Sequence, residues 1–437
     1  MAFPHSPKHL IQIWSRWVAS GNHIYLMMLA LLIVWWIVIS NLMIIDVWDE
    51  STARIFFSTE AIANMSTWEL LVGFWLQELP IDIYRPLGSS LFVIFNRLTD
   101  GEFDSVRYGN AVLVALSVFL FSQVLLQNFK VSASRVLIFY SLLLFSSAAI
   151  ITSTWNANIY DASCLFFLSI ATFFYFRESF LWCGIALTLS IFCKESYVLL
   201  FPFFLLLAFE NKNVNRKTSA ILILGIAIVS IGYWWLRLRF IPLGSEADIH
   251  GFQLRAYFSS LLSFLGGFPF QFSKFTLSSP HLWVGLLVLV FALASLQNNR
   301  SRIAIATTLL LASIVYWGMF GYQGNDIMTA DNFAGRLFLI PLTAFLFLLC
   351  RDAKATSVIA FSVLSIAGAV ITFQDHKTFQ QTYVDIYELG IKSNIPILIQ
   401  FPERPLEDSQ HNIFIGDYPA AKLRIDVLRG GLLQFEQ

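Results

Sequence analysis

The sequence predicts an all-α polytopic membrane protein, and three observations carry that prediction. Hydrophobic residues fill 57% of the 437 positions and charged residues only 13%, about half the charged share of a soluble domain. Apolar stretches of membrane-spanning length recur along the chain. Lys and Arg number 28, as do Asp and Glu, so the formal charge is zero and the basic excess of a nucleic-acid protein is missing. The same apolar content excludes a disordered chain.

Apolar runs with charged ends read as spans near 24–45, 108–128, 135–153, 161–176, 180–193, 195–209, 218–241, 281–297, 303–321, 337–350 and 355–373, about 11 in all. The first run follows Lys8 and Arg16 and continues through Ile45. That exceeds the apolar segment of a signal peptide and lacks a small-residue cleavage site, so it is expected to remain as a span. Cys164, Cys183, Cys193 and Cys350 all lie within apolar runs with no metal-ligand spacing; they read as packing residues, and no metal site is expected.

The stretch from Phe180 to Phe209 is interrupted only at Lys194-Glu195. As one helix it would measure about 45 Å against a hydrocarbon core of about 30 Å. It is either a tight hairpin with Lys194 and Glu195 at its outer tip or one tilted helix with a buried ion pair. Charge decides between them. With the hairpin, Lys8, Arg16, Lys130, Arg135, Arg177, Lys212, Arg216, Lys217, Arg300, Arg302, Arg351 and Lys354 share the inner side with only Glu178, Glu210 and Asp352. A single crossing would move the later seven cations outside, against the positive-inside rule. The N-terminus is therefore expected in the cytoplasm and the C-terminus outside.

Three regions follow. Residues 1–241 form a first transmembrane module with a long outer loop at 46–107, where Trp48, Trp68 and Trp75 suggest interfacial helices. Residues 242–373 form a second, more variable module, and 374–437 a small outer C-terminal appendage. No internal repeat is visible, which weakens a transporter built on inverted repeats.

Ionisable residues at the membrane rim are costly and are functional candidates by default. Four groups stand out on the outer side: Asp46-Val47-Trp48-Asp49-Glu50, Tyr84-Arg85-Pro86-Leu87, Tyr160-Asp161, and Lys194-Glu195 with Arg336. Each has a plainer reading. The acids can be a solvated loop start, Arg85 can snorkel, Asp161 can support a helix N-terminus, and Lys194-Glu195 can be an ion pair at a turn. Together they gather carboxylates and cations on one face.

In their order these motifs resemble the GT-C glycosyltransferases that use polyprenyl-phosphate sugars, over roughly residues 20–345. The matching residues are the acidic pair after the first span, Tyr84-Arg85-Pro86-Leu87 opening an amphipathic helix, Tyr160-Asp161-Ala162, Lys194-Glu195-Ser196-Tyr197, and Gly335-Arg336-Leu337-Phe338-Leu339-Ile340-Pro341. The size and layout also resemble phage-type serotype-converting O-antigen glucosyltransferases. The resemblance implies a hexosyltransferase of a bacterial inner membrane. Its catalytic module would be residues 1–241 with loop 46–107 in the periplasm. The donor would be undecaprenyl-phosphate glucose and the acceptor the O-antigen of lipopolysaccharide.

It further implies Asp49 as catalytic base, with Glu50 orienting it and Asp46 in reserve. Tyr84, Arg85, Lys194, Glu195 and Arg336 would hold the lipid phosphate, Glu195 fixing Lys194. Asp161 and Tyr160 would face sugar or acceptor. Transfer would invert the anomeric carbon. With no DxD triplet, neither a divalent metal nor another cofactor is expected. The competing readings are an O-antigen polymerase or ligase, and a transporter of lipid-linked sugars.

Overall fold

The computed structural model describes residues 23–41, 64–79, 84–98, 104–154, 158–210, 214–240, 290–291, 293–313 and 339–363. Helices account for the regular structure among them, and there is no strand beyond one isolated bridge between Leu296 and Ala353. The helices are α1 (His23–Ser40), α2 (Thr67–Leu76), α3 (Pro86–Arg97), α4 (Asp104–Gln127), α5 (Ala133–Leu144), α6 (Ser147–Thr154), α7 (Ile159–Phe176) and α8 (Phe180–Cys193). A 3-10 turn (Glu195–Leu200) follows, then α9 (Phe201–Glu210), α10 (Arg216–Phe240), α11 (Asn299–Ser313) and α12 (Leu339–Asp352).

Among the described residues, α1, α4, α7 and α10 are long and apolar enough to cross a membrane, and α5 with α6 makes a fifth if that pair, bent by 51°, is one span. This is a helical membrane protein. The spans expected at 281–297, 303–321 and 355–373 fall partly outside the described residues, and the tail 374–437 falls wholly outside them.

Lipid exposure sorts the helices into centre and periphery. The most apolar windows of α4 and α7 are 72% and 61% buried, against 22% and 17% for α1 and α10. Helix α12 lies deepest, with every residue from Leu339 to Cys350 buried. An all-round apolar helix of this kind belongs in a core. Phe347 is its hub, meeting Phe203, Phe129, Phe121 and Phe139 edge-on at 5.0, 5.8, 6.1 and 6.1 Å. Each such pair contributes about 0.5–1.5 kcal/mol beyond its buried area. Hydroxyls in these helices donate to the carbonyl one turn back, as Ser117 does to Leu113, Ser122 to Val118 and Thr172 to Leu168. They need neither water nor a partner helix.

The chain turns back at Lys194. Tyr175, near the end of α7, touches Phe180 at the start of α8 (6.0 Å) and Phe204 in α9 (5.2 Å), and its hydroxyl donates to the Ala208 carbonyl. The start of α8 and the end of α9 therefore share one end of the bundle, and Lys194 lies at the other. The chain thus reverses at Lys194, as the hairpin reading expects, although α8 and α9 are not packed closely on each other, and the break carries a buried ion pair as well.

The Tyr175 end collects many of the cations assigned to the inner side. Arg351 pairs with Glu210 (2.8 Å) and Asp352 (2.6 Å) and stacks on Phe129. Its guanidinium also donates to Ser301, whose hydroxyl donates to Asp352. Asn298 donates to Glu210, and Arg177 donates to Gln127. Lys130 and Glu178 adopt left-handed backbone (φ 52° and 59°) where α4 and α7 end. The amide of Ser179 closes the second turn onto the Phe174 carbonyl, a C-terminal cap that non-glycine residues adopt less often.

Candidate functional site

The opposite end brings together three of the four sequence motifs. Arg85 stands at the N-cap of α3 (φ −136°, ψ 63°) with Pro86 in the first helical position, where a missing N–H costs nothing. Three residues on, Gly88 allows a close approach. A Cβ there would lie 2.3 Å from Cδ1 of Tyr160 and 3.1 Å from the Cys193 carbonyl oxygen. The first turn of α3 thus rests directly on the start of α7 and the end of α8. Ser89 and Tyr160 share a hydrogen bond between hydroxyls (3.3 Å), and the Arg85 guanidinium stands 5.4 Å from the Tyr160 ring centre.

Tyr84 is buried between α3 and α10. Its carbonyl accepts from the Tyr233 hydroxyl at 2.9 Å, and its ring meets those of Tyr233 (5.9 Å) and Phe240 (5.2 Å). Burial raises the Tyr84 phenol above its ordinary value, which keeps it neutral.

Asp161 lies in the first turn of α7, where the partial positive charge of the helix end favours a carboxylate. Its Oδ2 accepts from the Lys194 Nζ at 2.6 Å, with side-chain exposures of 3% for Asp161 and 10% for Lys194. Lys194 itself is extended (φ −166°, ψ 148°) between α8 and the 3-10 turn. Its amide donates to the Ser190 carbonyl, and its own carbonyl accepts from the amide of Tyr197. The side chain projects from a backbone break pinned on both sides.

Lys194 therefore meets a carboxylate from thirty-three positions earlier, in addition to whatever Glu195 supplies; Glu195 opens the 3-10 turn, and its side chain lies outside the described residues. Asp46, Asp49, Glu50 and Arg336 also lie outside them. Loop 46–107 does contain two short helices, α2 and α3. Helix α2 starts with a capping box: the Ser66 amide donates to Glu69 (2.7 Å) and the Glu69 amide to the Ser66 hydroxyl (3.3 Å). Leu70, Phe74 and Leu79 then pack against Val93 of α3.

Two cations escaped the sequence reading. Arg107 in the first turn of α4 and Arg237 in the last turn of α10 are 2% and 4% exposed. An arginine flanked by Leu236 and Leu238 within an apolar run is the signal that could have flagged Arg237, which sits over Trp234 at 5.4 Å. Among the described residues no group of three or more His, Cys, Asp or Glu side chains is placed to hold a metal ion.

Chemically, a buried Lys–Asp pair beside an arginine at a helix start suits an anion. Lysine carries three N–H donors and arginine five, so each can serve an acid neighbour and a ligand oxygen together. Set against protein-family models, curated proteins and solved structures, the chain matches none.

Proposed function

We propose that this membrane protein is a glycosyltransferase moving a sugar from a polyprenyl-phosphate donor to a glycan acceptor. The observation that carries the reading is the meeting of Arg85, Tyr160, Asp161 and Lys194 at one end of the bundle. These are the motifs whose sequence order resembles the GT-C enzymes, and their cations suit a lipid phosphate at the membrane rim.

In the proposed reaction the acceptor hydroxyl oxygen bonds to the anomeric carbon from the face opposite the phosphate. Its proton passes to the Asp49 carboxylate. The bond between the anomeric carbon and the phosphate oxygen breaks, and its electron pair leaves with the polyprenyl phosphate. Arg85, Lys194 and Arg336 offset the charge gathering there, while Glu50 orients the base and Asp46 stands in reserve. Basic side chains suffice for this leaving group, so no divalent metal is required.

The accompanying topology has eleven spans, a cytoplasmic N-terminus, and the site and tail 374–437 in the periplasm of a bacterial inner membrane. Glucose is the proposed sugar and the O-antigen of lipopolysaccharide the proposed acceptor. The test is transfer by the purified full chain in detergent from a set of radiolabelled polyprenyl-phosphate sugars. Label is expected in the glycan from one donor; no transfer from any of them overturns the reading.

A further inference from the structure

We infer that Asp161 is a positioning residue for Lys194, holding its ammonium in place for the donor phosphate, and does not itself touch sugar or acceptor. The inference rests on the transfer reading above and deepens it. Lys194 extends from a backbone break, and its long stem has to be held if its ammonium is to stay in one place. The 2.6 Å contact to Asp161 supplies that hold. Asp161 is in turn fixed on the first turn of a long, largely buried helix.

Holding a flexible four-carbon stem in one geometry costs side-chain entropy. A buried ion pair, however, adds little net stability compared with apolar residues of similar volume. Stability alone therefore gives weak reason for this pair, whereas a held charge gives a strong one. An ammonium has three N–H donors, so pairing with Asp161 does not by itself bar a phosphate oxygen. Arg85 lies over the ring of Tyr160, the residue preceding Asp161, and Gly88 sets the same helix start against the Cys193 carbonyl next to Lys194.

The experiment measures binding of farnesyl phosphate, which carries no sugar, to the purified full chain, together with KM and kcat for the sugar donor. Asp161→Asn and Lys194→Gln should each weaken farnesyl phosphate binding about tenfold or more. The double variant should bind no worse than Lys194→Gln alone, because both remove one device. Asp161→Glu should recover part of the binding and show its defect in KM rather than kcat. Asp161→Asn binding farnesyl phosphate as the wild type does, yet losing transfer, would place Asp161 on the sugar or acceptor and overturn the inference. Additive effects of the two substitutions would overturn it too. If Asp161→Asn does not fold, Asp161→Glu and Lys194→Arg decide: an unchanged donor KM in both sinks the proposal. Failure of the wild type to bind farnesyl phosphate or transfer sugar defeats the transfer reading itself, a result separate from all of these.

Discussion

The two ends of the bundle use charge differently. At the Tyr175 end, Arg351, Glu210, Asp352, Ser301 and Asn298 form a network joining α9, α11 and α12, with Phe129 between α4 and α5 beneath it. Cations and acids there satisfy one another several times over. At the Lys194 end, one carboxylate and one ammonium pair at the end of a hairpin, and Arg85 leans over an aromatic ring. The first arrangement is closed on itself and fastens helices. The second, in the proposed reaction, presents its cations to the lipid phosphate. Burial of charge therefore marks no function by itself.

Substitutions can break that contrast. Asp49→Asn, at the Lys194 end in the proposed reaction, should lower sugar transfer about 100- to 10,000-fold with expression and membrane insertion intact; near-normal transfer would remove Asp49 as the base. Arg351→Leu takes the cation from Glu210 and Asp352, leaving them only the hydrogen bonds from Asn298 and Ser301, and should cost about 3 kcal/mol of stability. Thermal unfolding in detergent checks this, and the protein that remains folded should keep its donor KM. A raised KM there would mean that the two ends are coupled.

Gly88→Ala forces the new methyl into the Tyr160 ring and should cost about 1–3 kcal/mol. The loss is expected to appear chiefly as weaker lipid-phosphate binding, since α3 carries Arg85. Ser66→Ala removes one half of the α2 capping box and should cost about 1 kcal/mol, read as a small fall in Tm. The Ser66 side-chain and backbone hydrogen bonds hold the Glu69 carboxyl below its ordinary value. Its contribution is thus present above the unfolded carboxylate range and is lost as pH falls through the lowered folded value. The Ser66→Ala difference should shrink in acid; a constant difference would show that the box does not depend on the charge.

Much of this architecture is legible in the sequence, and particular residues show where legibility stops. Hydropathy finds the spans of α1, α4, α7 and α10, and the length of Phe180–Phe209 demands a break, which occurs at Lys194 as its charge suggests. Hydropathy cannot tell Leu339–Cys350, hidden in the centre, from the lipid-facing run in α10, because lipid and protein core are equally apolar. The Asp161–Lys194 pair is likewise hidden, since it depends on α7 and α8 lying side by side. Tyr84-Arg85 joins that pair only because Gly88 lets α3 settle on Tyr160, a fit that no residue spacing announces. The proposed base and Arg336 lie outside the described residues, so those assignments rest on the resemblance.

The hairpin has a consequence for the membrane around it. Helix α8 has 14 residues and rises about 21 Å, some 9 Å less than a typical hydrocarbon core. Its outward side is apolar, with Leu181, Trp182 and Ile185 exposed. A bilayer meeting so short a wall thins locally or leaves the tip below its headgroups. In the proposed reaction, Lys194 at the end of so short a helix would let a phosphate anchored by a lipid tail reach the ammonium without leaving its own leaflet.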